Sequence, residues 1–207
     1  MTAQRDEDRE KIVSAYRSGA QVLADKFDSI GVRVADIDRT LGFCQQERPN
    51  ILELGCGNGR DAQELYRRAG SYLGLDISPD LVELARMKVP NARFEVADVM
   101  EYSFPLELDA VFAFASLIHL DQEEMEDVLI RIAAALKLGG VLMLSMKYGE
   151  YRRVVKEDDF GTRIFHLYTP ELIENLASSN FETIWTSQKN LRGQDWFEII
   201  LRKTNSV

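Results

Sequence analysis

The sequence predicts an α/β fold: a doubly wound, mostly parallel sheet of seven strands, helices on both faces, and an antiparallel C-terminal hairpin. Three observations carry this expectation. Between residues 50 and 147, short apolar runs alternate with amphipathic stretches, and repeated β–α–β units imply parallel strands with right-handed crossovers. Leu108–Phe114 is almost continuously apolar, the pattern of a strand buried on both faces. Finally, the apolar runs Phe181–Asn190 and Trp196–Lys203 are joined only by Leu191–Asp195. That link is too short for a parallel crossover, so the two pair antiparallel at the sheet edge.

The elements follow in order. Residues 6–30 read as one helix, because Ile12, Tyr16, Ala20, Leu23 and Phe27 recur at three- and four-residue steps. A shorter helix over Ala35–Gln45 carries Ile37, Leu41 and Cys44, and Pro49 closes this section. Ile51–Leu54 is a strand that runs into glycines, and Asp61–Ala69 is helical. Tyr72–Leu75 is the next strand. Pro79–Lys88 is a helix opened by proline, whose fixed φ suits a first turn, and Pro90 ends it. Ala92–Ala97 and Leu108–Phe114 are strands. Glu123–Leu136 is an amphipathic helix with Met125, Val128, Leu129, Ile132 and Leu136 on one side. Gly139 and Gly140 turn the chain into the strand Val141–Met146, and Pro170–Ser178 is the last helix.

The bulk properties narrow the function. A chain of 207 residues, 45% hydrophobic and 29% charged, is globular and long enough for one substantial core but short for two. No apolar run approaches the roughly 20 residues that span a bilayer. The N-terminal MTAQRDEDREK lacks the apolar segment of a secretory signal, so a cytoplasmic location is expected. Cys44 and Cys56 have no partner at metal-ligand spacing, and His119 and His166 lie far apart, so no metal site is expected. A net charge of −9 works against a nucleic-acid partner, whose affinity comes from neutralised phosphates.

The informative segment is Ile51-Leu-Glu53-Leu-Gly55-Cys56-Gly57-Asn58-Gly59-Arg60-Asp61. A strand delivers the chain into three glycines and a helix follows at once. Glycine allows positive φ and close approach of a ligand to the backbone. The free N–H groups of the next helix start suit a carboxylate or phosphate. The crevice at the carboxyl ends of the central strands is where open α/β sheets bind ligands. Two readings share this turn. Gly57-Asn-Gly59-Arg-Asp-Ala62 also satisfies the dinucleotide fingerprint, with Asp76 near the position of its ribose-binding acid.

The surrounding segments resemble one family. Glu53-x-Gly55-x-Gly57-x-Gly59 is similar to the E/D-x-G-x-G-x-G motif of class I S-adenosylmethionine-dependent methyltransferases. Gly-Leu-Asp76-Ile77-Ser resembles their second-strand acid and Ala97-Asp98-Val99 their third. The segments Asp109 to Leu120 and Leu136 to Leu144 resemble their fourth- and fifth-strand signatures. The likeness runs from about residue 50 to the C-terminus, in the correct order. It implies a Rossmann-like fold that takes S-adenosylmethionine.

The resemblance also implies roles. Asp76, with Ile77 beside it, accepts hydrogen bonds from the two ribose hydroxyls. Asp98 faces the adenine amine while the Val99 N–H reads a ring nitrogen. Glu53 orients the methionine end, the Gly55 and Ala115 carbonyls meet its ammonium, and Arg60 meets its carboxylate. Cys56, Asn58 and Gly59 complete the turn, and Tyr16 closes over the methionine moiety. His119, after the fourth strand, is the candidate general base; bracing of its loop is the other reading. By this reading residues 1–207 form a single domain: a helical cap (1–48), a cofactor core (49–147), a lid (148–170), and the last helix with its hairpin (171–207). In the lid, Arg152, Arg153, Arg163 and His166 read either as an anion site or as a solvated charge run over half-buried aromatics.

Three functions remain open: methyl transfer to an unidentified small molecule, NAD(P)-dependent oxidoreduction, and S-adenosylmethionine binding without catalysis. The oligomeric state is outside what the residues specify.

Overall fold

The structure is a computed structural model that describes residues 2–204. Its main sheet has seven strands in the order β3-β2-β1-β4-β5-β9-β8. These are β1 (Asn50–Leu54), β2 (Ser71–Asp76), β3 (Arg93–Val96), β4 (Leu108–Phe114), β5 (Leu136–Lys147), β8 (Phe181–Leu191) and β9 (Gln194–Lys203). β1 to β5 are parallel, β9 runs antiparallel to β5, and β8 pairs antiparallel with β9 at the edge. The expected seven-stranded α/β architecture and its terminal hairpin are both present.

Side chains alternate between two apolar layers. Leu52, Leu54, Val111, Ala113 and Leu144 face α6 (Gln122–Ala135) and α7 (Pro170–Ala177). Ile51, Ala110, Phe112, Val141 and Met143 face α3 (Val34–Leu41), α4 (Ala62–Arg68) and α5 (Pro79–Lys88). This is the period-two pattern of a sheet covered on both faces. A reciprocal cap starts α6: the Asp121 carboxylate accepts the Glu124 N–H at 3.0 Å and the Glu124 carboxylate accepts the Asp121 N–H at 3.1 Å. Among the described residues, no helix is long and apolar enough to cross a membrane.

Three sequence expectations need correction. The helix expected over 6–30 is two helices, α1 (Thr2–Ser18) and α2 (Ala20–Asp28). The break falls at Gly19, where a Cβ would lie 2.7 Å from the Phe160 ring, and Ser18 Oγ donates to the Phe160 carbonyl at 2.6 Å. Periodicity continues through this point; close approach of another element decides the break. The segment between β5 and α7 contains a second sheet, β6 (Arg152–Asp158) paired antiparallel with β7 (Gly161–Leu167). β5 starts at Leu136, before the two glycines, and a register shift between Leu108 and Ala110 absorbs them.

α1 packs against β7 and is tied down by ion pairs. Arg5 pairs with Asp121 and Glu123 (2.6 Å each), Arg9 with Glu124 (2.7 Å), and Arg153 of β6 with Asp8 (2.8 Å). The N-terminal helix therefore roofs the carboxyl ends of the parallel strands.

Phe112, fully buried in β4 beside Phe114 at 5.5 Å between ring centres, tests the core directly. Truncating Phe112→Ala is expected to lower the unfolding free energy by about 3–5 kcal/mol in urea denaturation. A loss under about 1 kcal/mol would show that this layer is loosely packed.

Candidate functional site

The parallel strands all end on one edge of the sheet, and a cavity of about 860 Å³ opens there. Its size lies in the upper part of the range typical of small-molecule sites. Tyr16, Glu53, Gly55, Cys56, Gly57, Asn58, Arg60, Asp76, Ile77, Asp98, Val99, Ala115 and His119 all border it. Gly59 does not. Its φ is +75°, and a Cβ there would sit 3.1 Å from Ala85 of α5, so this glycine serves helix packing instead.

The turn is built by backbone contacts. The N–H groups of Gly55 and Cys56 both donate to the Leu75 carbonyl, at 2.7 and 2.9 Å, which ties the end of β1 to the end of β2. Gly55 has a φ of +72°, and a Cβ would fall 2.1 Å from the Ser116 Cβ, so no other residue fits. Ser116 Oγ in turn donates to the Leu54 carbonyl at 2.6 Å. Beside it, Ala115 holds a left-handed φ of +57°. That conformation costs an alanine roughly 1–2 kcal/mol and is found mostly where function fixes the backbone. Asn58 is buried and donates to the Ala24 carbonyl (3.3 Å) and to Asp28 (3.0 Å), so its amide pins α2.

Three carboxylates stand on adjacent strands. Asp76, at the end of β2, accepts the Gly57 N–H on one oxygen (2.8 Å) and the Ser78 N–H on the other (2.9 Å). Burial raises its pKa, and those N–H groups partly offset the rise. Its orientation is fixed while lone pairs remain on both oxygens. Asp98, just past β3, accepts the Met100 N–H at 2.8 Å and faces Arg9 of α1 at 3.0 Å. Arg131 donates to the Val99 and Met100 carbonyls, at 2.9 Å each, and holds that loop in place. Glu53 is buried in β1 and accepts a hydrogen bond from the Tyr72 hydroxyl. Burial first, then the neighbouring Asp61 charge, pushes its carboxyl up to about 8.

The basic side of the cavity differs from expectation. Arg60 turns onto Asp61 (Nε to Oδ2, 2.9 Å) rather than standing free. Asp61 also accepts the Arg33 N–H at 2.8 Å. The Arg33 guanidinium, which sequence reasoning missed, donates to Ser145 Oγ at 3.0 Å and lies 5.0 Å over the Phe114 ring. In the β6–β7 hairpin, Arg152 is exposed and Arg153 is spent on Asp8, while His166 stacks on Tyr151. Arg163 of β7 is buried and borders the cavity beside Phe165, as His166 also does. Lys147 at the end of β5 joins it and was equally invisible in the sequence.

His119 has both ring nitrogens engaged. Nδ1 faces the Ile164 carbonyl and Nε2 lies 3.0 Å from the Tyr16 hydroxyl. A carbonyl only accepts, so Nδ1 carries the proton and Tyr16 donates to Nε2. Burial lowers the imidazole to about 4 and raises the Tyr16 phenol to about 12, so both are neutral at physiological pH.

Residues 51–140 match a family described as a methyltransferase domain. A trans-aconitate 2-methyltransferase of Enterobacter sp. (strain 638) is 35% identical over 99 residues, covering 47% of this chain and 38% of its own. A phosphoethanolamine N-methyltransferase of Triticum aestivum is 27% identical across 99% of this chain and 46% of its own. The chain thus spans less than half the length of these two relatives. A solved structure of a methyltransferase from Methanosarcina mazei superposes with a TM-score of 0.70 at 23% identity, over 80% of this chain and 97% of that one. That likeness shows the fold. In its glycine turn, strand order and matched segment, the stretch 51–140 is similar to a methyltransferase domain.

Glu53 gives a pH signature. Its folded pKa lies above the ordinary 4.5, so its contribution to stability is fully present below pH 4.5 and is lost as pH rises to about 8. Glu53→Gln keeps an acceptor for Tyr72 and removes the titration. Its Tm is expected to exceed that of the parent by roughly 4 °C or more at pH 9 and to match it near pH 5, read by scanning calorimetry. A difference that does not change with pH would refute the assignment.

Proposed function

We propose that this protein transfers a methyl group from S-adenosylmethionine to a small-molecule acceptor. The observation that carries this reading is the row of three carboxylates, Glu53, Asp76 and Asp98, on adjacent strands β1, β2 and β3 around one cavity behind a glycine turn. Neighbouring strands lie about 4.8 Å apart, so the row extends along a ligand rather than gathering on one ion.

The residues present fit the group. Asp76 offers one lone pair on each oxygen to a vicinal diol, a charge-assisted contact from a fixed carboxylate. Asp98, with the backbone at Val99, suits an amine-bearing ring. The Gly55 turn and the Ala115 backbone leave room for a carbonyl contact to an ammonium. Glu53 supports that end, and Arg33 and Arg60 supply positive charge near it. Tyr16 covers the remaining side from α1. When bound, S-adenosylmethionine supplies a methyl carbon already activated by its positively charged sulfur.

The chain's own part is to align and enclose. Holding two reactants in line contributes up to about 7–11 kcal/mol to lowering a barrier, without a dedicated base. Where the acceptor must lose a proton, His119 Nε2 is the proposed base, reached by displacing the Tyr16 hydroxyl. Its lowered pKa keeps the ring neutral at physiological pH. The relatives bear names of different acceptors, trans-aconitate and phosphoethanolamine, so the shared domain does not by itself specify the acceptor. A small acceptor suits an enclosed cavity on a chain of net charge −9 better than a nucleic acid does.

Calorimetric titration with S-adenosylhomocysteine and with NADH tests the cofactor reading. Micromolar binding of S-adenosylhomocysteine alone, weakened at least about 100-fold in Asp76→Ala, is expected, since the variant loses two charge-assisted hydrogen bonds. Binding of NADH alone would overturn the proposal. With an acceptor in hand, His119→Ala is expected to lower kcat about 100-fold or more. A loss of only a few-fold would assign the ring to bracing Tyr16 and the Ile164 carbonyl.

A further inference from the structure

Away from Glu53, Asp76 and Asp98, one corner of the cavity gathers cations: Lys147 ends β5 and Arg163 faces it from β7. Lys147 Nζ has no carboxylate within ion-pair distance among the described residues. It meets two aromatic faces instead, Phe165 at 4.1 Å and Trp196 at 5.6 Å from the ring centres. Arg163 is buried and pairs with Asp158, yet its Nε has no partner. Lys156, also on the cavity wall, shares that same carboxylate at 3.8 Å. Two cations thus share one carboxylate while Lys147 beside them has none, in a partly desolvated, aromatic-walled corner.

Such an arrangement is costly when left alone. Burial and the Lys156 and Arg163 charges all disfavour the charged form of Lys147. Cation–π contact with Phe165 and Trp196 returns part of that cost, on the order of 1 kcal/mol per ring. A bound anion would return more and would satisfy the orphaned Arg163 Nε–H. The corner also touches the proposed reaction centre: Phe165 stacks on His119 at 5.0 Å, and the Arg163 guanidinium lies 5.9 Å from the Tyr16 ring.

We propose that Lys147 and Arg163 form an oxyanion subsite, walled by Phe165 and Trp196, that recognises a carboxylate, sulfonate or phosphate group on the methyl acceptor. The assignment rests on the methyltransferase reading for the word acceptor, but the anion site itself does not depend on it. It selects acids carrying an unsaturated or aromatic portion over their uncharged analogues.

Two fluorescent probes of one skeleton test this: 8-anilinonaphthalene-1-sulfonate and its uncharged twin N-phenyl-1-naphthylamine. Each is titrated into the full chain with and without saturating S-adenosylhomocysteine. The sulfonate is expected to bind in both conditions, with a Kd raised about tenfold or more in Lys147→Gln and in Arg163→Gln, as for loss of a charge-assisted contact. Lys147→Arg should restore it to within a few-fold, and the uncharged twin should change less than about twofold throughout. Equal effects on both probes, no effect on either, or no preference for the sulfonate in the parent would overturn the subsite. Displacement of the sulfonate by S-adenosylhomocysteine would place the anion in the cofactor's space and overturn its assignment to the acceptor. If S-adenosylhomocysteine itself fails to bind, the cofactor reading fails, and the titration without it still decides the anion site.

Discussion

The contact between Gly55 and Ser116 sets the geometry on which the rest of the site depends. β1 and β4 are neighbours in the sheet, and their carboxyl ends are drawn together because the residue after Leu54 has no side chain. Ser116 Oγ closes the joint on the Leu54 carbonyl, and Ala115 takes an unfavourable φ to let it do so. The turn then aims the Gly57 N–H at Asp76, so one steric fact orients a carboxylate on the neighbouring strand. Backbone packing, rather than side-chain pairing, holds the floor of the cavity.

Electrostatics follow from that floor. Parallel strands place their termini side by side, so the acids at Glu53, Asp76 and Asp98 border one pocket. Glu53 is raised first by burial, then by the Asp61 charge, with Asp76 adding a smaller push. Cations enter from scattered elements: Arg33 from the loop before α3, Lys147 from the last residue of β5, Arg163 from the β6–β7 hairpin. The carboxylates proposed for the cofactor and the two cations proposed for the acceptor thus come from different segments of the chain.

That division explains what the sequence reveals. Asp76, Asp98 and Glu53 are legible because a strand end followed by glycine or a helix start fixes where the next side chain points. Gly59 looked like part of the ligand turn because three evenly spaced glycines read alike, although the third makes room for Ala85. The β6–β7 hairpin escaped notice because most of β6 is exposed on both faces, so Arg152-Arg153-Val-Val-Lys-Glu-Asp158 carries no alternation. Lys147 and Arg33 are isolated basic residues whose surroundings exist only after folding. The bend at Gly19 is likewise set by Phe160, far away in sequence.

The roof helix shares a carboxylate with the floor. Arg9 of α1 bridges Glu124 and Asp98, and Asp98 is also the acid proposed for the adenine ring. These bridges are partly exposed, each is worth little, and physiological salt screens charge over about 8 Å. Part of the hold on α1 is therefore sensitive to ionic strength, while its apolar packing on β7 through buried side chains such as Ile12 and Ala15 is not: added electrolyte weakens the polar fastening of the roof before it touches the apolar one.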